Sequence, residues 1–213
     1  MAKSFGKTNG KAKSGANYYK HKDGENRVRL IGGIVPRYAY FLKDKENKSF
    51  TMECLAFNRE EERFDRVERD VVREHFPDEK CGWSYVSLCI DPDDGEIKVF
   101  PHKKGLYEEI QNAAEDLGDP TDPETGWELV YKRSKTGPLA FNVAYSLQVL
   151  RCKTKALTDE EKAKIAESPD IDELMPRPTP EDQEKIMQER VLGNPNVDED
   201  DLPEGDDGED VPF

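Results

Sequence analysis

Charged and apolar residues alternate along Arg27-Val28-Arg29-Leu30, the period of a strand with one face in a core. That period turns Val28 and Leu30 inward and leaves Arg27 and Arg29 together on the opposite face. Asp23-Gly24 supplies turn chemistry ahead of the strand, and Gly32-Gly33 permits a bend or bulge after it. Arg37 to Lys43 (RYAYFLK) and Phe50 to Phe57 (FTMECLAF) predict a strand pair across the polar link Asp44 to Ser49. From Asp65 to Phe76 the apolar residues Val67, Val71, Val72 and Phe76 come close to helical spacing, and Pro77-Asp78 ends the pattern. Trp83 to Asp91 (WSYVSLCID) reads as a strand with Val86, Leu88 and Ile90 inward and Trp83, Tyr85 and Ser87 outward. The turn Asp91 to Gly95 (DPDDG) returns the chain along Glu96 to Phe100, with Ile97 and Val99 inward and Lys98 and Phe100 outward. Leu106, Ile110, Ala113, Ala114 and Leu117 mark one side of a helix that Gly118-Asp119-Pro120 ends. Trp127 to Ser134 (WELVYKRS) and Leu139 to Val149 (LAFNVAYSLQV) are two further strands, joined by Lys135 to Pro138.

The character changes after Lys155. Thr158 is a helix N-cap with Asp159, Glu160 and Glu161 in the first turn. Pro176 to Pro180 is an extended spacer, and Thr179-Pro180-Glu181-Asp182 begins a second short helix that runs to about Leu192. Both helices are poor in apolar residues and need a docking surface to be stable. At least six short strands, with one helix among them and another before the last pair, predict a mainly β protein with short helices. An open Greek-key barrel of the oligonucleotide-binding kind, the OB-fold, is the architecture expected, with a β-sandwich as the alternative. The chain divides into a disordered basic arm (1–17), the barrel (18–155), a charged helical linker segment (156–193) and a disordered acidic tail (194–213).

Charge sharpens that division. The formal net charge is -14, yet from Thr158 onward there are 20 acidic and 5 basic residues, and ahead of it 26 acidic and 27 basic ones. The acidity that would argue against a polyanionic partner is therefore concentrated in the last quarter of the chain. The tail reads DEDDLPEGDDGEDVPF, with no Lys, Arg or His, and ends on Asp210-Val211-Pro212-Phe213. An apolar tip with a carboxylate on an acidic string suits a pocket with a basic rim. The arm carries Lys3, Lys7, Lys11 and Lys13 without an acid among them, a phosphate-binding segment or simply a solubilising one.

Aromatic and basic residues share the strand faces left over once the core is assigned. Tyr38, Tyr40, Trp83, Tyr85 and Phe100 are the candidate rings, and Lys20, Lys22, Arg27, Arg29, Arg37, Lys98, Lys132, Arg133 and Lys135 the candidate cations. Single-stranded nucleic acid needs this pairing, because bases stack on rings while cations follow the phosphates. The ordinary alternative for any one ring is packing in the core or on a sheet face.

The tip Glu209-Asp210-Val211-Pro212-Phe213 resembles the acidic C-terminal tip of bacterial single-stranded-DNA-binding proteins, with Val where those have Ile. Three further stretches are similar to phage single-stranded-DNA-binding proteins built on an OB-fold barrel. Lys22-Asp23-Gly24-Glu25-Asn26-Arg27-Val28-Arg29-Leu30 looks like that family's opening strand, and Trp83-Ser84-Tyr85-Val86-Ser87-Leu88 like its aromatic middle strand. Gly126-Trp127-Glu128-Leu129-Val130-Tyr131-Lys132-Arg133 resembles its late strand. The resemblance implies a non-enzymatic protein that coats exposed strands during phage DNA replication, recombination and repair in the cytoplasm of a bacterial host. It also implies that Asp210, Val211, Pro212 and Phe213 recruit replication and recombination proteins, and that the acidic tail competes with DNA for the basic groove. Self-association along the strand is a further candidate interaction.

Other chemistries find little support. Some relatives carry a zinc ribbon with closely paired cysteines, but no C-x-x-C occurs here, and Cys54, His75, Cys81 and Cys89 lack the spacing of a structural zinc site. Asp91, Asp93, Asp94 and Glu96 sit in a turn too short for a helix-loop-helix calcium site. There is no nucleophile motif around the three His residues and no phosphate-cradling Gly loop. No metal, cofactor or catalytic residue is expected, and no signal peptide or membrane-spanning run is seen. The four well-separated cysteines fit free thiols in a reducing compartment. The competing function is a protein-only adaptor or DNA mimic that works through its acidic tail.

Overall fold

The computed structural model describes residues 17–138 and 142–192. The basic arm up to residue 16 and the acidic tail, including Asp210, Val211, Pro212 and Phe213, lie outside the described residues, as do residues 139–141 at the start of the last expected long strand. In chain order the strands are β1 (Gly24–Val35), β2 (Tyr38–Lys43), β3 (Ser49–Glu53), β4 (Phe57–Asn58), β5 (Arg63–Phe64), β6 (Gly82–Trp83), β7 (Val86–Ile90), β8 (Ile97–Pro101), β9 (Trp127–Lys135), β10 (Val143–Leu147) and β11 (Lys153–Thr154). The helices are α1 (Val71–His75), α2 (Lys104–Leu117), α3 (Asp159–Glu167), α4 (Ile171–Leu174) and α5 (Pro180–Met187). The protein is mainly β with short helices, and its sheets are antiparallel, compatible with an OB-like arrangement. The large sheet runs β10-β9-β1-β7-β8, with β11 also on β9, and a smaller sheet runs β3-β2-β6.

Strand β1 is central to the large sheet and bulges at the glycine pair. Ile31 opposes Leu88 and Ile34 opposes Ser87, so β1 takes three steps where β7 takes one. Gly32, at φ 71°, adopts the backbone this excursion requires, which residues with a Cβ rarely do. Beneath β1, Val28 and Leu30 enter a core with Cys89, Phe100, Leu129 and Tyr131, closed by Leu106, Ile110 and Ala113 of α2. On the other face Ile31, Val35, Val86, Leu88, Ile90 and Val99 pack against Leu157 and Ile171. The charged C-terminal helices thus find the surface they need. The two expected helices each begin with the expected threonine: Thr158 forms a capping box with Glu161 in α3, and Thr179 forms one with Asp182 in α5. In α5, Met187 is fully buried, and Gln183 accepts from Val71 N at 2.9 Å while donating to Glu53 O at 2.6 Å.

Coverage on both faces of the sheet corrects several expected facings. Phe100, expected outward, is fully buried under α2. Ser87 is buried as well. Tyr40 is 1% exposed among Val71, Val72 and Met187, and its hydroxyl donates to Asp70 at 3.2 Å. Arg29 is 1% exposed, although its neighbour Arg27 remains outside as the alternation requires. Its guanidinium donates to the carbonyls of Lys155 at 2.9 Å, Leu30 at 2.6 Å and Asp122 at 2.5 Å, and also to that of Pro120. The helix expected from Asp65 shrinks to Val71–His75. Asp65 accepts from Val67 N in a local turn, Asp70 caps the helix at Arg73 N, and Val67 is left 86% exposed.

Arg29 is therefore a folding residue. Arg29→Ala leaves four carbonyls without their charged donor and is expected to cost roughly 3 kcal/mol or more of stability. Denaturant unfolding of the variant checks this, and a loss below about 1 kcal/mol contradicts it.

Candidate nucleic-acid interface

Six rings gather where the small sheet meets the start of α2. Trp83 lies flat on Tyr85, with centroids 3.6 Å apart and planes 12° from parallel. Tyr85 is buried below it, donating its hydroxyl to Glu62 at 3.0 Å, while the Trp83 indole donates to His102 O at 3.0 Å. Tyr38 stands edge-on to both, 6.2 Å from Trp83 and 6.3 Å from Tyr85. Phe57 and Phe64 continue the cluster at 4.8 and 4.9 Å from Tyr38, and Tyr107 continues it on the other side at 5.3 Å from Trp83. Phe64 is 48% exposed and Trp83, Tyr38 and Tyr107 are half-buried, so the platform offers ring surface held by its neighbours. Rings fixed in this way lose little entropy when a flat partner stacks on them.

A basic cleft of about 610 Å³ lies on the far side of the first turn of α2, between Lys103 and Gly105 and the β9–β10 hairpin with Arg133 and Tyr145. Arg133 donates to the Tyr145 hydroxyl at 3.3 Å and pairs with Asp23. Lys132 is exposed beside it, and Lys135 stands 3.8 Å from Asp23. The first turn of α2 thus joins the rings, through Tyr107, to the cations, through Lys103 and Lys104. A helix N-terminus disfavours cations by its dipole, and none of the first-turn residues is acidic. Lysines placed there against local preference are a site signal that the sequence carries outside its hydrophobic period.

Of the residues expected at the interface, Tyr38 and Trp83 come together in the platform over Tyr85, which was expected outward and is only 4% exposed, and Arg133 and Lys135 share one face of β9 with Lys132 on the other. Others are spent elsewhere. Lys98 is held by Asp91 at 2.7 Å and Asp94 at 2.5 Å, which raises its pKa. Arg37 is nearly buried and donates to Ser84 O at 2.9 Å. Arg27 pairs with Glu25 at 3.0 Å, and Lys22 pairs with Asp93. Lys20 is exposed near the start of the described chain. Arg29, Tyr40 and Phe100 are interior. Tyr107, Phe64, Tyr145, Lys103 and Lys104 are the additions. Cys54 and Cys89 fall in separate cores, and among the described residues no three His, Cys, Asp or Glu come together to hold a metal ion. Among the same residues no helix is long and apolar enough to cross a membrane.

Two histidines beneath the interface are neutral at physiological pH. Burial pushes His21 down to about 4; its Nε2 donates to Pro101 O at 3.0 Å and its Nδ1 accepts from the Tyr131 hydroxyl at 2.7 Å. Burial pushes His102 down to about 3, with Nε2 at 2.8 Å from Ser87 Oγ. Between these values and the ordinary 6.5, the unfolded chain binds protons that the folded chain refuses. The stability these groups lend is full above pH 6.5 and falls as pH drops toward 4. With two such groups the expected slope approaches about 2.7 kcal/mol per pH unit in the steep part of that window. Unfolding midpoints measured from pH 7 to 4.5 check this, and a midpoint flat over that range contradicts it.

No family model matches the chain. Its sequence is 30% identical, over 94% of its own length and 91% of the relative's, to a probable ssDNA-binding protein of Escherichia phage T5. Identity of that extent, spanning both proteins nearly end to end, is shared descent of the whole fold and not of one motif. The chain belongs to the family of phage proteins represented by that probable ssDNA-binding protein.

Proposed function

We propose that the protein binds single-stranded DNA without sequence preference, in the host cytoplasm, and protects it during phage DNA replication, recombination and repair. The observation that carries this reading is the platform of Tyr38, Trp83 and Tyr107 joined at one helical turn to the cleft of Lys103 and Arg133. Bases stack on ring faces whatever their identity, and the adjoining cations track the phosphates. The near-neutral charge of the first 157 residues supports it, since the net acidity lies from Thr158 onward in the sequence. The name of the phage T5 relative supports it from outside the molecule. The acidic tail then has two roles. Its Asp and Glu residues compete with DNA for the cations, and Asp210 to Phe213 present an apolar tip and a carboxylate to replication partners.

The test is fluorescence anisotropy of labelled oligo-dT at two salt concentrations, with the full chain and a chain ending at Val197. Both are expected to bind, the shortened chain more tightly, with affinity falling as salt rises. No binding by either at low salt contradicts the reading and favours a protein-only adaptor. Replacing Lys103 and Lys104 by Ala is expected to flatten the dependence of log K on log salt by about 0.7 for each phosphate no longer neutralised. An unchanged slope would remove the first turn of α2 from the interface.

A further inference from the structure

A second basic cleft, of about 450 Å³, opens at the other end of the ring platform. Phe64 belongs to both, since it lines the cleft and stands 4.9 Å from Tyr38. Arg66, Arg73 and Lys80 supply the cleft's cations, and Asp78 and Glu79 line it as well. Neighbouring arginines are paired, Arg63 with Glu61 and Arg69 with Glu74 and Glu184. Arg66, Arg73 and Lys80 form no ion pair among the described residues, with Arg66 and Lys80 exposed and Arg73 half-buried. Their backbone is held. Arg66 sits at φ 57°, a conformation that residues with a Cβ rarely adopt, and its N–H donates to Ala56 O at 3.3 Å. Arg73 rides on α1, whose Val71 and Val72 are buried with Tyr40 and Met187. Backbone strain of the kind seen at Arg66 persists only where the surroundings enforce it, and it collects at binding sites.

We propose that this cleft takes phosphates of the bound strand, so that one strand runs from the Lys103–Arg133 cleft across Trp83, Tyr38 and Phe64 to Arg66, Arg73 and Lys80. The inference rests on the proposed function and gives the strand its path and a second set of phosphate contacts. Charge supports it. A phosphate must displace a carboxylate from Arg63 or Arg69, but only water and counterions from Arg66, Arg73 and Lys80. Order supports it too. A stacked strand carries phosphates along its whole length, and cations stand at both ends of the row of rings. An acidic peptide meets the same cations, but it has no succession of flat groups for the rings that lead to them.

Cys81 reports on this cleft, because it lines the cleft partly exposed while Cys54, Cys89 and Cys152 are buried. The experiment follows alkylation of Cys81 by iodoacetamide in the full chain, with and without oligo-dT, beside the salt dependence of oligo-dT binding. Oligo-dT is expected to slow Cys81 alkylation in proportion to the fraction of protein bound. The variant with Arg66→Ala, Arg73→Ala and Lys80→Ala together is expected to bind more weakly. Its dependence of log K on log salt flattens by about 0.7 for each phosphate released, about 2 in all. Should that variant fail to fold, the wild-type alkylation rate alone decides. Tight wild-type binding with Cys81 alkylated at an unchanged rate, or a folded variant with the wild-type slope, overturns this path and leaves the DNA-binding reading standing. A peptide of residues 198–213 that slows alkylation where oligo-dT does not makes the acidic tail the occupant and overturns it likewise. Absence of any wild-type binding defeats the proposed function, and the path with it.

Discussion

The guanidinium of Arg29 is the constraint on which the rest of the structure depends. It is a buried charge satisfied by backbone carbonyls: those of Lys155, Leu30, Pro120 and Asp122. A charge out of water is tolerated only when its donors are used, and here one side chain gathers two distant pieces of chain over β1. The loop after α2 and the exit from β11 are fixed to the central strand. Gly126 belongs to the same arrangement, because a Cβ there would collide with the Arg29 guanidinium and the Asp122 and Pro120 carbonyls. With its exit held and its apolar face seated on Leu30 and Phe100, α2 has one orientation, and its first turn stands between the rings and the cleft.

Acidic residues decide which cations remain available. Lys98, Lys22, Arg27 and Arg133 each meet at least one carboxylate. Among the described residues Lys103 forms no ion pair and lines the cleft at the start of α2, while Lys132, likewise outside any ion pair, stands on the face of β9 opposite Arg133. In a chain of net charge -14, a basic surface is thus made as much by where the acids are absent as by where the bases are present.

Much of the fold was legible in the sequence. The two-residue period located β1, β7, β8 and β9, the bulge followed from Gly32-Gly33, and the threonine caps placed α3 and α5. Facing was the part that failed, for one physical reason. Alternation identifies a core side only when the other side meets water, and here the other side is covered by residues far away in sequence. Ile171 and Leu157 cover one face of β1 and β7, and Met187 helps bury Tyr40. No local pattern announces such a cover, so Arg29, Tyr40 and Phe100 read as surface and proved interior. The Trp83-Tyr85 pair was visible as a pair of aromatics, but its stacking and the arrival of Tyr107 from α2 are tertiary facts.

The central claim, that a single strand stacks on Trp83, has a direct optical test because the chain has only two tryptophans. Trp127 is 1% exposed, with its indole bonded to Gly118 O at 2.9 Å, whereas Trp83 is half-buried at the platform. Oligo-dT is expected to quench tryptophan emission in the wild-type chain and to leave the Trp127 emission of Trp83→Phe unchanged. Equal quenching in the two proteins, or none in the wild type at saturating oligonucleotide, would contradict the account.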